Sequence, residues 1–207
     1  MTSFSNKQYP RVRILRSVCL FTIVSLACSA TTIIDFEQFT DSETLTTQIP
    51  GLTFSDTSVI TTGISLNELE FPPHSGTNVA FDSGGPIDIT FSSPVTSFSG
   101  YFTYTEPLNI VAYNAAGSPV AEVTSAFSSN LAISGDPGSS PNEFISVTSA
   151  SGFDSVLLTG DPAGGSFVMD DISYISSPSI NVAEPALLLP VSFLIFALLS
   201  RKHVSAI

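Results

Sequence analysis

The sequence predicts an all-β protein, an antiparallel β-sandwich of jelly-roll topology, from three observations. Apolar and polar residues alternate at period two, as in Ile87-Asp88-Ile89-Thr90-Phe91-Ser92, so a strand there shows one face to a core and one to water. Turn chemistry recurs between short runs: Ser83-Gly84-Gly85-Pro86, Ala116-Gly117-Ser118-Pro119, Gly135-Asp136-Pro137-Gly138 and Asp161-Pro162-Ala163-Gly164-Gly165. No stretch between these signals has a convincing amphipathic-helix period, and many short strands with regular turns read as a sandwich.

The expected strands run in order. The first covers 33–39 and sets Asp35 and Glu37 on one face, Ile34 and Phe36 on the other. Runs at 59–64, 78–81 and 87–92 follow. The run 95–105 is rich in aromatic and hydroxyl residues, as half-buried strands are. Within it Phe98, Gly100, Phe102 and Tyr104 share a face, with Tyr101 on the opposite one. Runs at 109–114, 120–124, 144–148, 156–159 and 167–175 complete the set. There is no internal repeat. Residues 31–176 form one domain, long enough to bury a real core, followed by a short linker at 177–181.

The two ends read as addresses. Lys7, Arg11, Arg13 and Arg16 precede an apolar stretch at 18–27, the pattern of a secretory signal peptide over 1–30 with cleavage after Ala30. A lipoprotein box at Ser25-Leu26-Ala27-Cys28 is the alternative. Both cysteines, Cys19 and Cys28, lie in this leader, so the domain is expected to hold without disulfides. At the other end, 182–207, Val182-Ala183-Glu184-Pro185 leads into an apolar run at 186–199 and then Arg201-Lys202-His203. That run reaches only roughly 21 Å as a helix against a hydrocarbon core of about 30 Å, and Pro190 interrupts it. Arg201 and Lys202 are suited to hold its end on the cytoplasmic side.

This order of parts resembles the PEP-CTERM sorting signal, with Ala183 where the first Pro of the usual Val-Pro-Glu-Pro stands and a thin basic cluster. The resemblance implies processing by an exosortase-type transpeptidase, a membrane anchor before processing, and a destination at the cell surface or in an exopolysaccharide matrix. An ordinary C-terminal anchor and a GPI signal beginning near Ser176-Ser177 are the alternatives.

Charge narrows the partners. All eighteen acids lie between Asp35 and Glu184, and there is no Lys or Arg from 17 to 200. Such a surface repels nucleic acid and anionic membrane and has no basic side chains to pair its carboxylates. Asp35 and Glu37 in the first strand, with Asp170 and Asp171 in the last, are the candidate chemical cluster if the first and last strands are neighbours. Alternation lets only one of the two adjacent aspartates join the others. Unpaired carboxylates sharing a site are costly, and a hard cation such as calcium removes the cost with oxygen ligands. The Asp-Phe-Glu opening and Asp-Asp-Ile-Ser ending resemble MAM-type and carbohydrate-binding jelly rolls, over about ten residues and without the MAM cysteines. That resemblance implies a structural calcium between the chain ends as cofactor.

Catalytic motifs are sparse. His74, in Pro72-Pro73-His74-Ser75-Gly76, is the only histidine of the domain and reads as an exposed loop residue. No Gly-x-Ser-x-Gly elbow, phosphate loop, dinucleotide fingerprint or zinc set is present. Trp, the usual sugar platform, is absent, which leaves Tyr101, Tyr104 and Tyr113 as candidate glycan contacts, with core or rim packing as their plainer role. The expectation is an exported, non-catalytic surface or matrix protein associated with exopolysaccharide. A calcium-stabilised carbohydrate-binding module is the alternative, and a small glycan hydrolase using a carboxylate pair a third reading.

Overall fold

A computed structural model describes residues 31–177; the expected leader, most of the linker and the sorting tail lie outside the described residues. Ten strands follow one another with no helix among the described residues: β1 Thr31–Ile34, β2 Thr44–Leu45, β3 Leu52–Phe54, β4 Thr57–Thr61, β5 Asn78–Asp82, β6 Ile87–Tyr104, β7 Asn109–Tyr113, β8 Pro119–Thr124, β9 Glu143–Thr159 and β10 Phe167–Ser176. Every strand ladder is antiparallel, and hydrogen bonding runs β2-β4-β5-β10-β6-β9-β7-β8, with β1 on β10 and β3 on β6.

Two long strands make this path a sandwich. The sequence reads 87–92 and 95–105 as separate strands, and likewise 144–148 and 156–159. The structure joins each pair into one bent strand, β6 and β9. The bend in β6 comes at Pro94, with register shifts on either side of Val95. An extra residue there switches the inward parity. Ile87, Ile89 and Phe91 point inward before the bend, and Phe98, Phe102 and Tyr104 after it. One half of β6–β9 therefore belongs to a layer with β3, β7 and β8, the other to a layer with β1, β5 and β10. The core lies between them, where Phe91 meets Phe98, Phe153 and Tyr174 at ring-centroid distances of 5.3–6.3 Å. Each fully buried Phe contributes about 1.5–3 kcal/mol. Gly100 is required within this layer, since a Cβ there would meet Ile172 Cγ2 at 2.9 Å.

The first and last strands pair as expected, with Ile34 opposite Ile172. The opening strand is shorter than read, however. It stops at Ile34 and the chain turns at Phe36, whose φ is +60° and whose ring is fully buried. Strand β10 changes its neighbour along its length. Val168 and Met169 pair with β5, residues 172–175 pair with β1, and the junction falls at Asp170-Asp171. A second apolar cluster sits on the outer face beside this junction. Leu66 and Phe71 of the 62–75 segment cover Ile60, Val79, Phe81 and Val168 there.

Candidate functional site

The junction in β10 builds the site. Register shifts by a bulge between Asp170 and Ser173, and Asp171 takes φ +44°. The expectation that adjacent aspartates must part to opposite faces is corrected here: the bulge breaks alternation, and both carboxylates grip the same loop. Asp170 is 1% exposed on the outer face. Its carboxylate accepts the N–H of His74 and of Ser75, both at 2.8 Å, and the N–H of Asp171 at 2.7 Å. Asp171 accepts Ser75 Oγ at 3.0 Å and lies 2.6 Å from His74 Nδ1. Asn142 Nδ2 adds a bond to the Pro72 carbonyl at 3.0 Å, so the 72–75 segment is held from both sides.

The loop so clamped lays the His74 ring flat on Tyr101, with centroids 3.4 Å apart and planes 8° from parallel. Tyr101 stands opposite Asp170 in one direction and Phe144 in the other. The three side chains therefore form a row across β10, β6 and β9 on the outer face. Phe144 is 57% exposed and its ring is 5.3 Å from Tyr101. Beyond this row the face is hydroxyl-rich, with Ser99 and Ser173 bonded at 2.8 Å and Ser146 exposed beside them. The result is an aromatic surface edged by hydroxyls. The histidine is fixed in place through Nδ1, which lies against Asp171.

Burial dominates the electrostatics. It pushes the Asp170 carboxyl up to about 6, against the opposing effect of its backbone donors, and the neighbouring Asp171 charge adds to the rise. Asp82 is fully buried at the far end of β5, and burial raises it too, although it accepts the Ser166 N–H, Ser166 Oγ and the Phe167 N–H. His74–Asp171 is the one contact between a basic and an acidic side chain within 4 Å among the described residues.

Several expected site residues fall elsewhere. Glu37 does not join the aspartates: it accepts the N–H of Thr77 at 2.9 Å and of Asn78 at 2.7 Å, capping the start of β5. Gly76 is needed beside it, because φ is +56° and a Cβ would sit 2.3 Å from the Glu37 carboxyl carbon. Asp35 is exposed and accepts the Glu37 N–H at 3.3 Å. The four acids of the expected calcium set, Asp35, Glu37, Asp170 and Asp171, do not gather as one group of metal ligands among the described residues, and most of their carboxylate oxygens already have protein partners. Tyr104 is corrected as a glycan contact: it is fully buried, its hydroxyl bonds Glu143, and burial with that carboxylate pushes it up to about 12. It shares the inward face with Phe98 and Phe102. Tyr113 stands half-buried on the outer face of the other layer. Ser75 Oγ bonds the aspartate and not the imidazole, so His74, Asp171 and Ser75 do not form a nucleophilic triad.

The sequence reading missed His74 and Phe144 as site residues. A histidine that follows two prolines in a loop carries no sign of the ring it will meet. Phe144 stands out only as an apolar residue out of phase with Ile145 and Val147, which are buried.

No protein-family model matches the chain, and no curated protein does. Solved structures with a similar shape include the K2 cleaved adhesin domain of Lys-gingipain, with 18% identity over 70% of this chain and 99% of that one, TM-score 0.43. A family 29 carbohydrate binding module from Piromyces equi has 12% identity over 74% of this chain and 94% of that one, TM-score 0.40. A DUF4465 family protein from Bacteroides caccae has 12% identity over 72% of this chain and all of that one, TM-score 0.41. At these values the likeness carries nothing about ligands.

Proposed function

We propose that this chain is an exported, non-catalytic surface protein whose β-sandwich binds glycan at the His74–Tyr101–Phe144 surface. In this reading the tail from Val182-Ala183-Glu184-Pro185 to Arg201-Lys202 directs it, through an exosortase-type enzyme, to the cell surface or an exopolysaccharide matrix. The observation that carries the binding role is the exposed Phe144 ring beside the stacked His74–Tyr101 pair, on a loop clamped by two carboxylates. Aromatic faces match the C–H faces of sugar rings, and flanking hydroxyls and the imidazole supply directional bonds. Locking the loop beforehand removes much of the ordering cost of binding. The excess of acids selects against polyanionic glycans and favours neutral or amino sugars.

The test is retention on a panel of insoluble polysaccharides. Wild-type chain is retained by at least one neutral or amino glycan, and Phe144→Ala weakens that retention by about tenfold, the size of one lost stacking contact of ~1.4 kcal/mol, with an unchanged melting temperature. Retention by none of the panel, or equal retention of the variant, refutes the reading.

A further inference from the structure

An open depression lies on the outer face of the other layer. It is a cleft of about 620 Å³ between the first half of β6, the second half of β9, β7 and the β7–β8 turn, in the size range of small-molecule sites, about 300–1,000 Å³. Two cross-strand rows line it: Asp88 opposite Leu157, and Thr90 opposite Ser155, which in turn pairs with Tyr113. These positions point outward, because Ile87, Ile89, Ile110, Ala112, Val156 and Leu158 take the inward ones. Tyr113 and Leu157 offer apolar surface, and Asp88, Asp154 and Asn114 offer polar atoms. No Lys or Arg occurs between 17 and 200 to neutralise Asp88 or Asp154. Asp88 is exposed, yet partial desolvation by its neighbours holds its carboxyl above the ordinary value.

We infer that the Tyr113 cleft is a second saccharide site, taking a sugar unit that carries a positive charge, as in a de-N-acetylated hexosamine polymer. Tyr113 and Leu157 stack on the ring, and Asp88 and Asp154 receive the ammonium group. Charge complementarity selects this occupant: the cleft sets two carboxylates beside Tyr113 and Leu157 in a domain without Lys or Arg. The inference rests on the glycan-binding reading and extends it. The two sites face away from a shared core on opposite layers, so one chain bridges two glycan strands.

The experiment is calorimetry of the full chain in detergent at low salt, titrated with a glucosamine tetramer and with its N-acetylated counterpart. Two glucosamine tetramers bind per chain and one acetylated tetramer does. Tyr113→Ala and, separately, Asp88→Asn reduce the glucosamine stoichiometry to one, or weaken that site at least tenfold, with melting temperatures unchanged. Phe144→Ala removes the other site. If Tyr113→Ala and Asp88→Asn both leave the titration as in wild type, the cleft is not a site. If a single site is seen and Phe144→Ala abolishes it, the second-site inference falls while the glycan-binding surface stands. If a single site is lost with Tyr113→Ala alone, the cleft stands and the Phe144 surface falls. Absence of binding by both tetramers overturns the cleft.

Discussion

Replacing Asp170 with alanine tests the clamp on which the site depends. The carboxylate accepts three backbone N–H groups, from His74, Ser75 and Asp171, at 2.7–2.8 Å. A buried donor left without a partner costs about 1–3 kcal/mol. The 74–75 segment borders solvent and can turn its amides to water, so the low end applies and the loss is about 3 kcal/mol at pH 7. The pH adds a second signature. Because the folded-state value is about 6 against an ordinary 3.8, the native protein binds this proton more tightly than the unfolded chain does. Proton binding by Asp170 therefore adds, beyond the hydrogen bonds, a stability that is present at low pH and lost as pH rises through about 6. The alanine variant lacks that contribution, so its deficit grows by roughly 2–3 kcal/mol between pH 7 and pH 4. Urea unfolding of both proteins, followed by far-ultraviolet circular dichroism at pH 7 and pH 4, measures the two differences. A deficit below about 1 kcal/mol at pH 7, or one that shrinks on acidification, refutes the clamp as described.

The wild-type domain itself becomes more stable as pH falls from 7 toward 4, because Asp170, Asp82 and Asp88 all have raised folded-state values; a melting temperature that falls over that window contradicts this. Below that window the trend reverses, since Asp41 and Glu70 are held below their ordinary values by hydrogen bonds and their contribution is lost as they protonate. Calcium and EDTA leave the melting curve within about 1 °C of each other, because the carboxylates already have N–H and O–H donors; a calcium-dependent rise of several degrees restores a cation to the site. Replacing Glu184-Pro185 with Ala-Ala leaves the exported protein membrane-retained and unprocessed, read by fractionation and immunoblotting; release equal to wild type removes the sorting role from the tail.

The sequence by itself determined the all-β class, because period-two alternation and turn residues act locally and report directly on strands and their ends. It also put Phe98, Phe102 and Tyr104 on one shared face, and the jelly-roll expectation set the opening strand beside the closing one. It did not determine that 87–104 and 143–159 are continuous bent strands. The parity switch at Val95 reads as a strand boundary until the partner register is known. Nor did it reveal the site. His74, Tyr101, Phe144 and Asp170 come from four separate segments, and what unites them is the exchange of β5 for β1 along β10 and the bulge that turns two adjacent aspartates toward one loop. Alternation assigns a residue to a face. Only tertiary structure decides which loop crosses that face, and there the loop converted a histidine with no local signal into the centre of an aromatic surface.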